Sequence, residues 1–266
     1  MTTPAFDSLF DIRDRVVVVT GASSGIGRML AHGLTAVGAK VVLAARRENR
    51  LRDLVAEIAK EIGEDGRAVP VACDISDDAG RARLVDQAVR EFGGIDGLVN
   101  NAGISGSGLP ATRQSTAEFR EVLEVDLVAP FDLAKRCLVS MRERGGGSIV
   151  NVTSTAAVTT TGTGIPQAAY CAAKAGLAHL TRELAVQWGR YLVRVNAFAP
   201  GFFATEMTEL MTDADGMPPD WLTVRQAIKG SAGAADALGT VQFLLSDASR
   251  FVTGQHIVVD GGQTIT

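Results

Sequence analysis

Short apolar, β-branched runs alternate along this chain with longer segments whose apolar positions recur every three or four residues. Runs at 15–20, 40–45, 68–73, 97–100, 148–153, 193–197 and 255–259 predict seven strands. Most are continuous apolar stretches, as expected of strands covered on both faces. Between them, Leu51, Leu54, Val55 and Ile58 repeat at helical spacing within 49–62, with charges on the opposite face. Leu84, Val85, Ala88, Val89 and Phe92 do the same within 82–92. Repeated β–α units of this length predict an α/β fold, a doubly wound parallel sheet of about seven strands with helices on both faces. The segment 118–141 carries scattered charges and is expected to be a core or interface helix. No linker, repeat or low-complexity block interrupts the pattern, so residues 1–266 are expected to form a single domain. The acidic stretch at about 204–230, with Pro218, Pro219 and Trp221, breaks the rhythm and is expected to form a flap. Its Met207, Met211 and Met217 either line an adaptable apolar substrate wall or pack the flap.

Composition narrows the function classes. The chain has 266 residues, 46% of them hydrophobic, ample for a core. Lys and Arg number 26 against 30 Asp and Glu, and the net charge of −4 gives no electrostatic case for nucleic acid. Cys73, Cys137 and Cys171 fit neither a disulfide framework nor metal-ligand spacing, which points to a reduced, cytoplasmic setting. His32, His179 and His256 are scattered, so no metal site is expected. Apolar runs such as 16–19 are too short to span a bilayer, and the N-terminus carries acids where a signal peptide needs a basic region.

The first strand runs into Thr20-Gly21-Ala22-Ser23-Ser24-Gly25-Ile26-Gly27 and then a helix. Glycines let the backbone turn tightly and approach a ligand, and the following helix N-terminus aims free N–H groups at an anion. The spacing is G-x-x-x-G-x-G, and no Gly-Lys-Ser/Thr follows, which excludes a P-loop. An acid at the end of the second strand would hold a ribose 2′-hydroxyl and favour NAD. Arg46 and Arg47 stand there instead. A guanidinium pair suits a 2′-phosphate and hence NADP(H); the alternative is two solvated arginines opening a helix.

Tyr170-Cys171-Ala172-Ala173-Lys174 places a phenol and an ammonium on one helix face. A free phenol titrates near ~10, so a base acting near neutrality needs a drop of about three units, roughly 4 kcal/mol. A neighbouring cation supplies part of it. Upstream, 148–154 reads as a buried strand ending in Thr153 and Ser154, at the sheet edge where open α/β folds bind ligands. Ser154 there suits a hydrogen bond to a substrate carbonyl.

Thr20–Gly27, Asn100-Asn101-Ala102-Gly103, Ser154, Tyr170 with Lys174, Pro200-Gly201 and Thr253-Gly254 through Asp260-Gly261-Gly262 together resemble the short-chain dehydrogenase/reductase family, from about residue 11 to 262. The branch resembled is the roughly 250-residue one of 3-oxoacyl-carrier-protein reductases and sugar and alcohol dehydrogenases. The resemblance implies a one-domain Rossmann fold, a nicotinamide cofactor, a small carbonyl or alcohol substrate and a homotetramer or homodimer. It implies Tyr170 as general acid/base, Ser154 on the carbonyl oxygen, and Lys174 on the nicotinamide ribose. It implies cofactor contacts from Gly21, Ser23, Ser24, Gly25, Ile26 and Gly27. Asp74 and Ile75 are implied at adenine, Asn100, Ala102 and Gly103 along the adenosine ribose, and Pro200, Gly201, Phe203 and Thr205 along the nicotinamide.

Three departures from the family pattern bear on catalysis and substrate. Asp126 stands where the family has Asn, the residue whose backbone carbonyl anchors a proton-relay water. Ser154 and Tyr170 are separated by extra residues in the Thr-rich loop at 159–164. The family's Pro-Leu-x-Arg-x-Gly run is replaced by Ala227-Ile228-Lys229-Gly230-Ser231-Ala232-Gly233. The leading expectation is an NADP(H)-dependent carbonyl reductase or alcohol dehydrogenase. Reduction of 3-oxoacyl carrier thioesters is the alternative within the class, and an NADP-binding sensor weakened by Asp126 the alternative outside it.

Overall fold

Val17 and Val19 face one side of the first strand and Val18 the other, and all three are fully buried. A strand apolar on both faces needs a helical layer on each, and that requirement builds the architecture. The computed structural model describes residues 8–63, 66–161, 165–208 and 218–266. In it β1 (Val16–Thr20), β2 (Lys40–Ala45), β3 (Ala68–Ala72), β4 (Gly97–Asn100), β5 (Gly147–Val152), β6 (Val193–Pro200) and β7 (His256–Val259) form one sheet in the order β3-β2-β1-β4-β5-β6-β7. Every neighbouring pair is parallel. The strands match the expected runs, except that β6 extends three residues further, where Phe198, Ala199 and Pro200 gain β7 as a partner. Pro70, which cannot donate to a ladder, lies in the edge strand β3.

One core layer packs Val17, Val19, Val41 and Leu43 against Leu30 and Leu34 of α1 (Gly25–Ala36), Leu51 and Leu54 of α2 (Glu48–Ile62), and Val241 and Leu244 of α8 (Ala234–Leu245). The other packs Val18, Val42 and Ile149 against Leu84 of α3 (Asp78–Phe92), Leu133 and Cys137 of α5 (Ala129–Glu143), and Leu184 of α6 (Ala168–Trp188). The fold is a single Rossmann-type domain. Of the expected flap, residues 209–217, including Met211 and Met217, lie outside the described residues, as do 162–164 of the Thr-rich loop. The described remainder includes a short helix, α7 (Asp220–Thr223).

The expected helix at 118–141 is present as a continuous helical stretch over 116–143 with a π-helical turn inside it. After α4 (Thr116–Leu123), capped by Ser115 Oγ, residues Glu124–Val128 form a π-helical turn in which Ala129 N–H reaches back five residues to Glu124 O. Pro130 follows in the first turn of α5 and has no N–H to return to the Asp126 carbonyl. No described helix is long and apolar enough to cross a membrane.

A nearly buried ion cluster ties α3 to α5. Arg81 Nε donates to Asp132 Oδ2 at 2.8 Å, and Arg136 Nε donates to the same oxygen at 2.6 Å. Arg81 Nη1 donates to Ile75 O at 2.6 Å. Burial opposes the Asp132 charge, but hydrogen bonds from Arg136, Arg81 and Lys135 outweigh it and hold its pKa down at about 2. Because the folded pKa is depressed, this stabilisation is present above the ordinary carboxylate range and is lost as pH falls toward about 2. Asp132→Ala leaves the Arg81 charge buried without its closest ion-pair partner, so urea unfolding is expected to show a loss of about 3 kcal/mol. The variant should also lose less stability than the native chain between about pH 4 and pH 2.

Candidate active site

Thr20 ends β1 and its hydroxyl oxygen accepts two backbone N–H groups from the chain leaving β4, Asn101 at 3.0 Å and Ala102 at 3.1 Å. Asn101 Nδ2 donates to Thr20 O at 2.8 Å. This amide fills the space between the glycines of the loop. A Cβ on Gly27 would lie 2.3 Å from both Asn101 Nδ2 and Gly21 O, and one on Gly21, whose φ is +68°, would lie 2.8 Å from the same nitrogen. Helix α1 then starts after Ser24 with no side-chain cap, leaving its first-turn N–H groups to a ligand.

A cleft of about 440 Å³ runs along the C-terminal ends of β1 to β6. Of the candidate residues named from the sequence, Gly21, Ser23, Ser24, Gly25, Ile26, Arg46, Arg47, Asp74, Ile75, Ala102, Gly103, Tyr170, Lys174, Pro200 and Thr205 line it. The cradle that glycine alone can form, the uncapped helix start and the two arginines fit a dinucleotide phosphate chain. Arg46 is exposed and makes no hydrogen bond or ion pair to a described residue, although its charge helps stabilise Asp74. Arg47 Nη2 donates to Ser24 Oγ at 2.7 Å and to Ser23 Oγ at 3.1 Å. Asp74 accepts the N–H and hydroxyl of Ser76 at 2.9 and 2.8 Å, and these bonds hold its carboxyl below the usual range.

At the other end of the cleft, Lys174 Nζ donates to Val152 O at 3.1 Å and lies 5.5 Å from the centre of the Tyr170 ring. Asp126, fully buried in the π-helical turn, accepts Ile104 N–H on Oδ1 at 2.8 Å. Its Oδ2 lies 3.2 Å from Lys174 Nζ without hydrogen-bond alignment. Burial pushes the Asp126 carboxyl up against the opposing charge of Lys174. Burial also works against the Lys174 charge, but Asp126 and Tyr170 together hold its pKa above the usual lysine value. Both groups therefore keep their protons more tightly than in water.

Several expected residues reach the site only indirectly. The Asn100 amide is buried between strands, donating to Asn151 Oδ1 at 2.9 Å and Pro130 O at 3.2 Å, and Asn101 is the residue of that pair on the cleft. Phe203 packs edge-on against Phe198 in the core, with ring centres 6.2 Å apart. Gly201 lies against Asp260, and Gly27 against the loop itself. Ser154 stands just past Thr153, which lines the cleft, and its Oγ accepts Ala156 N–H at 3.1 Å. Asn101, Thr153 and Glu206 also line the cleft without having been expected there, and so does Met207, which was expected either in a substrate wall or in the packing of the flap. Thr153 Oγ1 lies 2.8 Å from His256 Nε2, so that histidine supports the cleft wall. Among the described residues no cluster of His, Cys, Asp or Glu could hold a metal ion.

A family model described as Enoyl-(Acyl carrier protein) reductase matches residues 21–264. The cis-4-hydroxycyclohexanecarboxylate dehydrogenase of Sinomonas cyclohexanicum is 39% identical over 257 residues, covering 94% of this chain and 97% of that one. Levodione reductase of Leifsonia aquatica is 37% identical over 257 residues, 94% of each chain. The chain belongs to the short-chain dehydrogenase/reductase family. The crystal structure of a gluconate 5-dehydrogenase from Burkholderia cenocepacia, in complex with NADP and tartrate, superposes with a TM-score of 0.88 at 32% identity, covering 97% of this chain and 98% of that one. As a short-chain dehydrogenase/reductase it is an NAD(P)-dependent oxidoreductase of alcohols and ketones. Gly27→Ala would drive a methyl group into the backbone of the phosphate loop. It is expected to destabilise the protein by about 1–3 kcal/mol in urea unfolding and to abolish dinucleotide binding in a fluorescence titration.

Proposed function

We propose that this chain is an NADP(H)-preferring enzyme that interconverts a ketone and a secondary alcohol, with Tyr170 as general acid/base. The observation that carries the reading is the joint presence of Tyr170, Lys174 and the glycine cradle on one cleft. A bound nicotinamide dinucleotide supplies the hydride donor or acceptor. In the reducing direction the Tyr170 hydroxyl gives its proton to the carbonyl oxygen; in the oxidising direction the phenolate takes it back. Lys174, fixed by Val152 O and Asp126, favours the phenolate by its charge. Ser154 Oγ already accepts Ala156 N–H, which leaves its own proton free to orient the substrate oxygen.

Arg46, exposed in the cleft without an ion-pair partner among the described residues, supports the NADP(H) preference, because a guanidinium recognises a 2′-phosphate in a planar, two-point contact. The name of the Sinomonas relative supports a cyclic secondary alcohol as the first substrate class to assay. Glu118, Glu121 and Glu206 around the adjoining cavity weigh against docking of an acidic carrier protein.

Titration with NADPH and NADH is expected to show tighter NADPH binding, with the preference falling about tenfold or more in Arg46→Ala; a native preference for NADH would overturn the cofactor assignment. Tyr170→Phe should lower turnover on a cyclic alcohol panel by about 10²–10⁴-fold while leaving NADPH affinity intact. Asp126→Asn removes an anion beside Lys174, so the lysine charge acts on Tyr170 unopposed. The acid limb of the pH profile for alcohol oxidation should then move to lower pH, and a limb that stays fixed would remove Asp126 from the proton chemistry.

A further inference from the structure

The turn that follows β6 reaches back across the phosphate loop. Thr205, Glu206 and Met207 line the same cleft as Gly25 and Arg47, and a Cβ on Gly25 would lie 3.3 Å from Thr205 Cβ. From this turn the Glu206 carboxylate bridges two arginines of the β2–α2 corner. Oε2 accepts Arg47 Nη1 at 3.1 Å, and Oε1 pairs with Arg50. Arg47 is meanwhile oriented over the loop by Ser23 and Ser24 through its other terminal nitrogen, Nη2. The end of the guanidinium left for a ligand anion is therefore the end that Glu206 holds.

We propose that Glu206 is a specificity-determining residue, an internal carboxylate that occupies Arg47 in place of a cofactor 2′-phosphate and so sets the discrimination between NADPH and NADH. The proposal rests on the NADP(H) reading above and deepens it. The three side chains are about half exposed, at 44%, 48% and 49%, so their pairing is screened by solvent and exchangeable. A phosphate monoester brings nearly two negative charges and three acceptor oxygens against one carboxylate charge, and displaces it from Arg47. Arg50 keeps Glu206 after that exchange, so the turn need not be released. An unphosphorylated dinucleotide offers no anion at that position and leaves the Glu206–Arg47 pair in place. Glu206 accordingly weakens NADPH binding while barely touching NADH binding.

The test is a fluorescence titration of NADPH and NADH on the native chain, Glu206→Gln and Glu206→Asp, with circular dichroism as a check of folding. Glu206→Gln removes the competing charge. Glu206→Asp keeps the charge but is one methylene too short to bridge both arginines from the same turn. Both variants are expected to raise the NADPH-to-NADH affinity ratio about fivefold or more, with NADH affinity changing less than about twofold. An unchanged or lower ratio in Glu206→Gln would overturn the proposal. A ratio that rises in Glu206→Gln but not in Glu206→Asp would also overturn it, by showing that net charge acts without occupancy of Arg47. A native chain that prefers NADH, or binds neither, would instead remove the NADP(H) reading itself. If the native chain prefers NADPH and the ratio does not respond, the failure belongs to Glu206 alone.

Discussion

The tie between Thr20 and Asn101 is the constraint on which the site depends. β1 lies between β2 and β4, so the chain's direction of travel across the sheet reverses there and a crevice opens beyond the strand ends. Thr20 Oγ1 closes the gap between the two strands by accepting consecutive N–H groups, and the Asn101 amide wedges against backbone that has no room for a Cβ. A one-residue change in either strand end would turn these groups away from each other, since side chains alternate across a strand. Glycine loop, helix start and cleft floor are therefore positioned by one small set of hydrogen bonds.

The second constraint is electrostatic. Burying Lys174 is costly unless the charge is paired and its protons are used, and the site meets this with Val152 O and Asp126. Asp126 in turn needs Ile104 N–H, which fixes the chain leaving β4 on the side opposite Thr20. The π-helical turn is where the helix gives up regular spacing to hold Asp126 fully buried at this point. Backbone irregularity, buried ion pair and cleft wall thus belong to one local solution.

At the glycine-loop end of the cleft the charges are arranged differently. Arg46, Arg47 and Arg50 are exposed, screened and adjustable, and the acid that meets two of them comes from a separate turn of the chain. Rigid, buried electrostatics at Lys174 and soft, screened electrostatics at Arg47 suit different tasks: fixing neighbouring side chains in place, and exchanging one partner for another.

Much of this was legible in the sequence because it is local. Strands apolar on both faces, the glycine loop, the i, i+4 pairing of Tyr170 with Lys174 and the paired arginines after β2 are each contained within a few residues, and each lies where the pattern indicates. The sequence also exposes Asp126 as a departure from the family pattern. What it leaves undecided is which of two neighbours faces the cleft. Asn100 turns inward to Asn151 while Asn101 faces the cleft, and Phe203 joins the core beside Phe198. Such choices follow from register and packing against distant strands, which no local pattern encodes. Contacts of long separation were equally out of reach: Glu206 meets Arg47 across 159 positions of chain, and Asp126 meets Lys174 only because a π-helical turn and α6 pack together. Sequence determined the elements and the chemistry they carry; the tertiary structure decided which charges meet, because their meeting depends on how separate layers close over the sheet.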